Sequence, residues 1–175
     1  VLYAAGFEDQ RVYRFDPGSD PRPITPEPAL PAGARYADAT LGSRWGVWVR
    51  ELHQPDGEPV NSLVRIPLDG SEEPEPITAG HDFYASPRLS PDGTRLAFLA
   101  WDHPNMPWNG TTLYVAPIDE DGRAGDAEVV AGGPEESIFQ PIWSPDGVLH
   151  FSSDRTGWWN PYRLGEAGVE PVSQI

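Results

Sequence analysis

The sequence predicts an all-β chain, a β-propeller segment of about three and three-quarter four-stranded blades, an open arc of a larger ring before a tight four-blade ring one strand short. Two observations predict it. The first is a tetrapeptide that occurs twice: Ser90-Pro91-Asp92-Gly93 returns 54 positions later as Ser144-Pro145-Asp146-Gly147. A Pro stands three residues ahead of each Ser (Pro87, Pro141), and an apolar run follows each Gly. Ser at the first turn position bonds back to the backbone, Pro at the second has its φ already set, and Gly at the fourth leaves the turn freely. Such a turn between apolar runs marks a hairpin, and its return at a long period marks a repeat, which outranks any local reading. The second observation is the spacing of apolar outer-strand marks. Ile24, Ile77, Val130 and Val172 are separated by 53, 53 and 42 residues, and hairpin turns at Asp16, Asp69 and Asp121 precede the first three. Four short antiparallel strands per repeat of this length make a propeller blade.

Taken in order, Val1-Leu2-Tyr3 reads as a strand ending at Gly6, and Gln10 to Phe15 alternates as a second. Asp16-Pro17-Gly18 turns the chain into Arg22-Pro23-Ile24-Thr25, a short outer strand, since Pro is tolerated there mainly on an edge. A Pro-rich connector over 26–34 follows. The second unit starts at Arg35-Tyr36-Ala37. Trp45 to Leu52 then alternates, with Trp45, Val47 and Val49 on one side and Trp48 on the other. Gln54-Pro55-Asp56-Gly57 turns, Ser62 to Leu68 is a strand, and Glu75-Pro76-Ile77-Thr78 repeats the earlier outer strand. In the third unit Tyr84 to Leu89 leads into the first tetrapeptide. Leu96 to Trp101 is continuously apolar, as expected of a strand buried on both faces. A long insert, Asp102 to Gly110, precedes strands at Thr111 to Ile118 and Glu128 to Val130. The fourth unit holds Ile138 to Ile142, Leu149 to Ser152, Tyr162 to Leu164 and Glu170 to Val172. The blades therefore fall at approximately 1–28 (incomplete, lacking its inner strand), 35–79, 84–131 and 138–173, with no helix. An arc of this kind leaves apolar faces and strand edges open at its ends.

Composition narrows the classes of function. A net charge of −15 repels phosphate backbones and anionic membrane surfaces, so neither nucleic acid nor membrane is an expected partner. The chain has no cysteine, hence no disulfide framework, thiolate metal site or cysteine nucleophile; a reducing, cytoplasmic setting is the expectation. No apolar run reaches the length of a membrane span. The first residues lack the basic lead of a signal peptide and there is no initiator Met, so the chain reads as a piece of a longer product. Seven Trp, six Tyr and six Phe give a turn-rich chain enough to bury.

The residues that follow the repeat resemble a known family. Ser86 to Gly93, running through Trp101-Asp102-His103-Pro104-Asn105-Met106-Pro107-Trp108, is similar to the propeller of prolyl oligopeptidase family serine peptidases. The resemblance is nearest to the acylaminoacyl-peptidase or dipeptidyl-aminopeptidase-like branch. Phe139 to Gly147 and Ser153-Asp154-Arg155-Thr156-Gly157-Trp158-Trp159-Asn160-Pro161-Tyr162-Arg163 resemble the same branch. The tetrapeptide alone is shared with TolB-like propellers; the Trp101 to Trp108 insert and Trp158-Trp159-Asn160 are more specific. The likeness covers 80–165 well and 1–79 in outline. It implies an N-terminal propeller of seven or eight blades that caps an α/β-hydrolase domain and filters peptide-sized substrates.

The catalytic part of such an enzyme is absent from the sequence. No Ser has Gly two positions before it, so there is no Gly-x-Ser-x-Gly elbow; Gly42-Ser43-Arg44-Trp45-Gly46 has the wrong spacing, and no βαβ pattern could host a triad. No catalytic residue is therefore assigned. His53, His81, His103 and His150 are far apart in sequence, so no metal site is expected, and no phosphate or dinucleotide fingerprint points to a cofactor. Glu72-Glu73 and Glu135-Glu136 read as solvated loop charge.

The candidates for contact with substrate or another domain are Trp101, Asp102, His103, Trp108, Asp154, Arg155, Trp158 and Trp159. The first four form either a loop at one mouth of the propeller or a packed hairpin in which Pro104, Pro107 and both Trp fill a corner, with Asp102 satisfying an indole N–H. Asp154-Arg155 is either a carboxylate clamp or a pair that orders its own turn. Trp158-Trp159 is blade core or partner contact. Two functions follow. One is the non-catalytic propeller of a serine peptidase, gating access to and docking on a hydrolase domain outside this chain. The other is a free-standing TolB-like binding or scaffold module, possible as a homodimer of two arcs.

Overall fold

In the computed structural model, residues 1–173 are described, and they contain strands and turns but no helix. None is therefore long and apolar enough to cross a membrane. The chain divides into two compact units, Val1–Gly80 and His81–Ile175. The first unit holds a three-stranded sheet of β1 (Leu2–Ala5), β2 (Val12–Phe15) and β3 (Arg22–Pro23). Its second sheet is four-stranded, with β4 (Ala34–Leu41), β5 (Trp45–Leu52), β6 (Val60–Pro67) and β7 (Glu75–Thr78). The second unit holds β8 (Phe83–Leu89), β9 (Arg95–Trp101), β10 (Thr112–Pro117) and β11 (Glu128–Gly132), then β12 (Ile138–Trp143), β13 (Leu149–Ser153), β14 (Asn160–Gly165) and β15 (Gly168–Pro171). Every sheet is antiparallel and its strands are neighbours in sequence order. Three complete four-stranded sheets and one lacking a strand are what the repeat predicts for a partial propeller.

Each unit is held by apolar side chains between its two sheets. In the first, Val12 and Ile24 pack with Trp48, Val64, Ile66 and Leu68. In the second, Ala97, Leu99, Leu113 and Ala131 meet Ile138, Trp143, Leu149, Phe151 and Tyr162. The second strand of a sheet is therefore covered on both sides. Leu96 to Ala100 are all buried, as the continuous apolar run predicts. Both sides of β5 are buried over 45–48: Trp48 belongs to the core shared with the three-stranded sheet, while Trp45 and Val47 lie on the other side, as the alternation predicts. β3 is shorter than its apolar mark suggests. Pro23 has no N–H to give; past it, the Val12 amide donates to the Thr25 hydroxyl at 3.0 Å and Ile24 N–H to Val12 O at 2.8 Å.

The repeated tetrapeptide closes its hairpins through the serine hydroxyl. Ser90 Oγ donates to Asp92 Oδ1 at 2.6 Å and accepts the Arg95 amide at 2.9 Å; Asp92 Oδ1 also accepts the Thr94 amide at 3.1 Å. Gly93 sits at φ 74°, where a side chain would be strained. The copy uses Ser144, Asp146 and Val148 in the same way. Neighbouring turns are then joined: Arg95 Nη2 donates to Gly147 O at 2.9 Å with its guanidinium 4.4 Å from the Trp143 ring centroid, and Trp143 Nε1 donates to Arg88 O at 2.9 Å.

The prolines ahead of each tetrapeptide have a structural consequence. Pro87 and Pro141 cannot donate to the ladder, and in both strands the register slips there, between Ala85 and Arg88 and between Phe139 and Ile142. The residue before each Pro, Ser86 or Gln140, takes a left-handed φ of 51° or 50°. β4 has the same bulge at Asp38, without a Pro.

Two outcomes follow from this framework. Leu113→Ala removes a fully buried side chain from the second unit's core and is expected to cost about 2–5 kcal/mol in denaturant unfolding, whereas Val129→Ala, on an exposed position, changes little. The second concerns acid. The Ser90 hydroxyl, with the Thr94 amide and hydroxyl, holds the Asp92 carboxyl at about 2 rather than 3.8. Because the folded value is the lower one, the stabilisation is complete above the unfolded value and is lost as pH falls through the folded one. Acid titration of wild type and Asp92→Asn should therefore converge between pH 3.8 and about 2.

Candidate functional site

The sequence candidates lie in the second unit, on loops that three connections bring to the same end of its two sheets. Trp101 ends β9 and the β9–β10 loop carries Asp102 to Trp108, the β11–β12 connection runs over 133–137, and the β13–β14 loop carries Asp154 to Trp159. Polar latches hold them together. Thr111 Oγ1 accepts the Ile138 amide at 2.6 Å and donates to Ile138 O at 3.1 Å. Ser137 Oγ donates to Pro107 O, and Asn105 Nδ2 donates to Pro134 O at 3.2 Å. The fit is close enough to demand glycine: a Cβ at Gly132, whose φ is 89°, would lie 2.0 Å from Thr111 O, and one at Gly110 would lie 2.5 Å from Pro134 O.

The register of the β8–β9 hairpin sets the first cluster. Phe83 faces Trp101 across the ladder, and their rings stack at 5.4 Å. The next residues out therefore meet. Asp102 Oδ2 accepts His81 Nδ1–H at 2.8 Å, and Asp102 Oδ1 accepts the Asp82 amide at 2.7 Å. The reciprocal bond runs from the His103 amide to Asp82 Oδ2 at 2.8 Å, and the His103 ring stands edge-on to Phe83. The His81 ring is wedged against Tyr84 and Tyr114, at centroid distances of 5.8 and 5.3 Å. Burial acts to raise the Asp102 carboxyl, but the His81 bond, the Asp82 amide and the nearby imidazoles outweigh it and hold it below the usual range. Burial, and then the Asp102 charge, push the Tyr114 phenol up.

Asp102 thus bonds to a histidine and a backbone amide, not to an indole. His81 and Tyr114 were not singled out from the sequence. The signal was present in the hairpin, because pairing Phe83 with Trp101 places 81–82 beside 102–103, but it becomes visible only once the register is known. These residues line a cavity of about 330 Å³ together with Trp101, Thr111, Thr112 and Pro134.

The second cluster orders its own turn. Asp154 Oδ1 accepts the Ser137 amide at 2.8 Å. Arg155 pairs with Glu136 at 2.9 Å, not with Asp154, and its guanidinium lies 5.1 Å from the Tyr162 ring centroid. Glu136 also accepts the Ser153 hydroxyl at 2.6 Å, so this carboxylate is a half-buried structural partner rather than solvated loop charge. The remaining aromatics are exposed: Trp108 by 64%, Trp158 by 81% and Trp159 by 50%, the last edge-on to exposed Phe139 at 6.2 Å. They fill no corner of the core. Among the described residues no group of three or more His, Asp and Glu side chains is placed to hold a metal ion.

Fold and loop end together define a β-propeller segment that presents aromatic loops. Comparison with solved structures gives the family. A puromycin-hydrolyzing peptidase of Mycobacterium tuberculosis is similar over 99% of this chain, at 38% identity and a TM-score of 0.89, and 29% of the peptidase is covered. A puromycin hydrolase matches over the same shares at 39% identity and a TM-score of 0.90. The TolB of Acinetobacter baumannii, at 18% identity, 95% of this chain, 38% of its own and a TM-score of 0.63, shares the fold. No protein-family model and no curated protein matches the sequence. The chain is a propeller segment of the prolyl oligopeptidase family of serine peptidases, and it spans 29% of the length of the puromycin-hydrolysing relatives.

The turn-ordering carboxylate and the exposed aromatics predict opposite mutational behaviour. Glu136→Ala leaves the Arg155 guanidinium and the buried Ser153 hydroxyl without their shared acceptor, and is expected to cost about 1–3 kcal/mol in chemical denaturation. Trp158→Ala, at an exposed site, should shift stability by no more than about 0.5 kcal/mol.

Proposed function

We propose that this chain is the non-catalytic propeller part of a puromycin-hydrolase-like serine peptidase, and that its loop end docks on a hydrolase domain outside these residues and limits which substrates reach it. The observation that carries the reading is the 38–40% identity that runs through 99% of the chain to a segment of such peptidases. Two features support it. The sequence has no nucleophile elbow, so hydrolysis must be supplied from elsewhere in the protein. The loop end also leaves Trp108, Trp158 and Trp159 exposed at no gain to the core, and aromatics of this kind are enriched at interfaces.

The test is made in the full-length peptidase with puromycin and an aminoacyl chromogenic substrate. Replacing Trp158 and Trp159 together by Ala should lower kcat/KM by about tenfold or more while the isolated 175-residue chain keeps its folded signal and hydrolyses neither substrate. Unchanged kinetics in the double variant would remove the docking role; hydrolysis by the isolated chain would remove the non-catalytic one.

A further inference from the structure

The cavity beside Asp102 has features that neither the fold nor the peptidase reading uses. A carboxylate only accepts hydrogen bonds, so the 2.8 Å contact from His81 Nδ1 to Asp102 places the ring proton on Nδ1. In the neutral ring the other nitrogen, Nε2, then presents a lone pair. That nitrogen makes no hydrogen bond among the described residues, although the imidazole is clamped in place by Tyr84, Tyr114 and Asp102. An acceptor held in a fixed orientation and left without a donor, in the wall of a cavity of about 330 Å³, is a binding feature.

The remaining walls say what kind of ligand fits. Trp101 and Tyr114 offer aromatic surface, Asp102 a carboxylate held in its charged form, and Thr111 and Thr112 the polar part; no Lys or Arg lines the cavity. Aromatic faces and carboxylates both attract cations, and a neutral imidazole nitrogen accepts from an N–H donor. An anion would find no positive partner here. At about 330 Å³ the cavity lies at the small end of ligand sites, the size of a one-ring molecule.

We propose that this cavity binds a small organic ammonium carrying an apolar or aromatic body, with Asp102 and His81 Nε2 receiving the ammonium N–H groups and Trp101 and Tyr114 covering the body. The site lies at the same loop end but uses none of Trp108, Trp158 and Trp159, on which the docking reading rests, so either can fail without the other.

The experiment uses the 175-residue chain and three probes of one shape: benzylammonium, benzyl alcohol and benzoate. Each is titrated while amide and indole NMR shifts are followed. The expected result is saturable binding of benzylammonium in roughly the millimolar range for a fragment of this size, with the largest shifts at Trp101, Asp102 and Tyr114. Benzyl alcohol should bind at least about tenfold more weakly, and benzoate not at all. Asp102→Asn, which keeps an acceptor for the Asp82 amide, and His81→Gln should each weaken benzylammonium by about tenfold with the rest of the spectrum unchanged. Equal affinity for the three probes, shifts centred elsewhere, or Asp102→Asn binding as tightly as wild type would each overturn the proposal. If a variant fails to fold, the probe series on the wild-type chain decides alone.

Discussion

The second unit depends on one packing relation: Leu99, Leu113 and Ala97 of one sheet lie against Leu149, Phe151 and Tyr162 of the next. A four-stranded sheet with one covered face is marginal alone, and burial of the second face makes its second strand apolar throughout. β9 shows the result, with five successive residues buried. A single polar replacement in that run has no solvent-facing side on which to be tolerated. The same relation fixes where the loops emerge, because loops at one end of two packed sheets must meet.

At those ends, directional bonds take over from apolar packing. Turns on one side are closed by serine hydroxyls that both donate and accept, and are joined to one another by Arg95. Loops on the other side are latched by Thr111, Ser137 and Asp154, each of which satisfies a backbone group, in the case of Thr111 a buried one. The loop end is thus rigidly based while its tips remain exposed. This separates two roles in adjacent residues: Asp154 and Arg155 hold the turn, and Trp158 and Trp159, three positions on, are left for something outside it.

The acidity of the chain is distributed in keeping with this. Asp92 and Asp146 are held charged by turn hydroxyls and Asp102 by an imidazole and an amide, while Glu136 accepts from an arginine and a serine. Many of the acids that look like a solvated surface in the sequence are acceptors for specific donors. What distinguishes the Asp102 group is that its donor, His81, has a second nitrogen with nothing to bond to.

By itself the sequence determined the fold class, because turn chemistry and strand periodicity are local: Ser-Pro-Asp-Gly specifies a hairpin wherever it stands, and its return specifies a repeat. It also determined the family likeness, since the insert from Trp101 to Trp108 and the Trp158-Trp159-Asn160 segment are contiguous. It located the loops that matter without assigning their contacts. Asp102, which the sequence offers either to a mouth loop or to an indole, meets His81; Asp154 and Arg155, either a clamp or the order of their own turn, reach Ser137 and Glu136; and the two sides of β5 that the alternation separates are both covered. Each of these turns on a separation of 17 to 21 residues or on a neighbouring sheet. Only the tertiary structure decides such partners, because hairpin register and sheet packing choose among donors and acceptors that are chemically equivalent in the sequence.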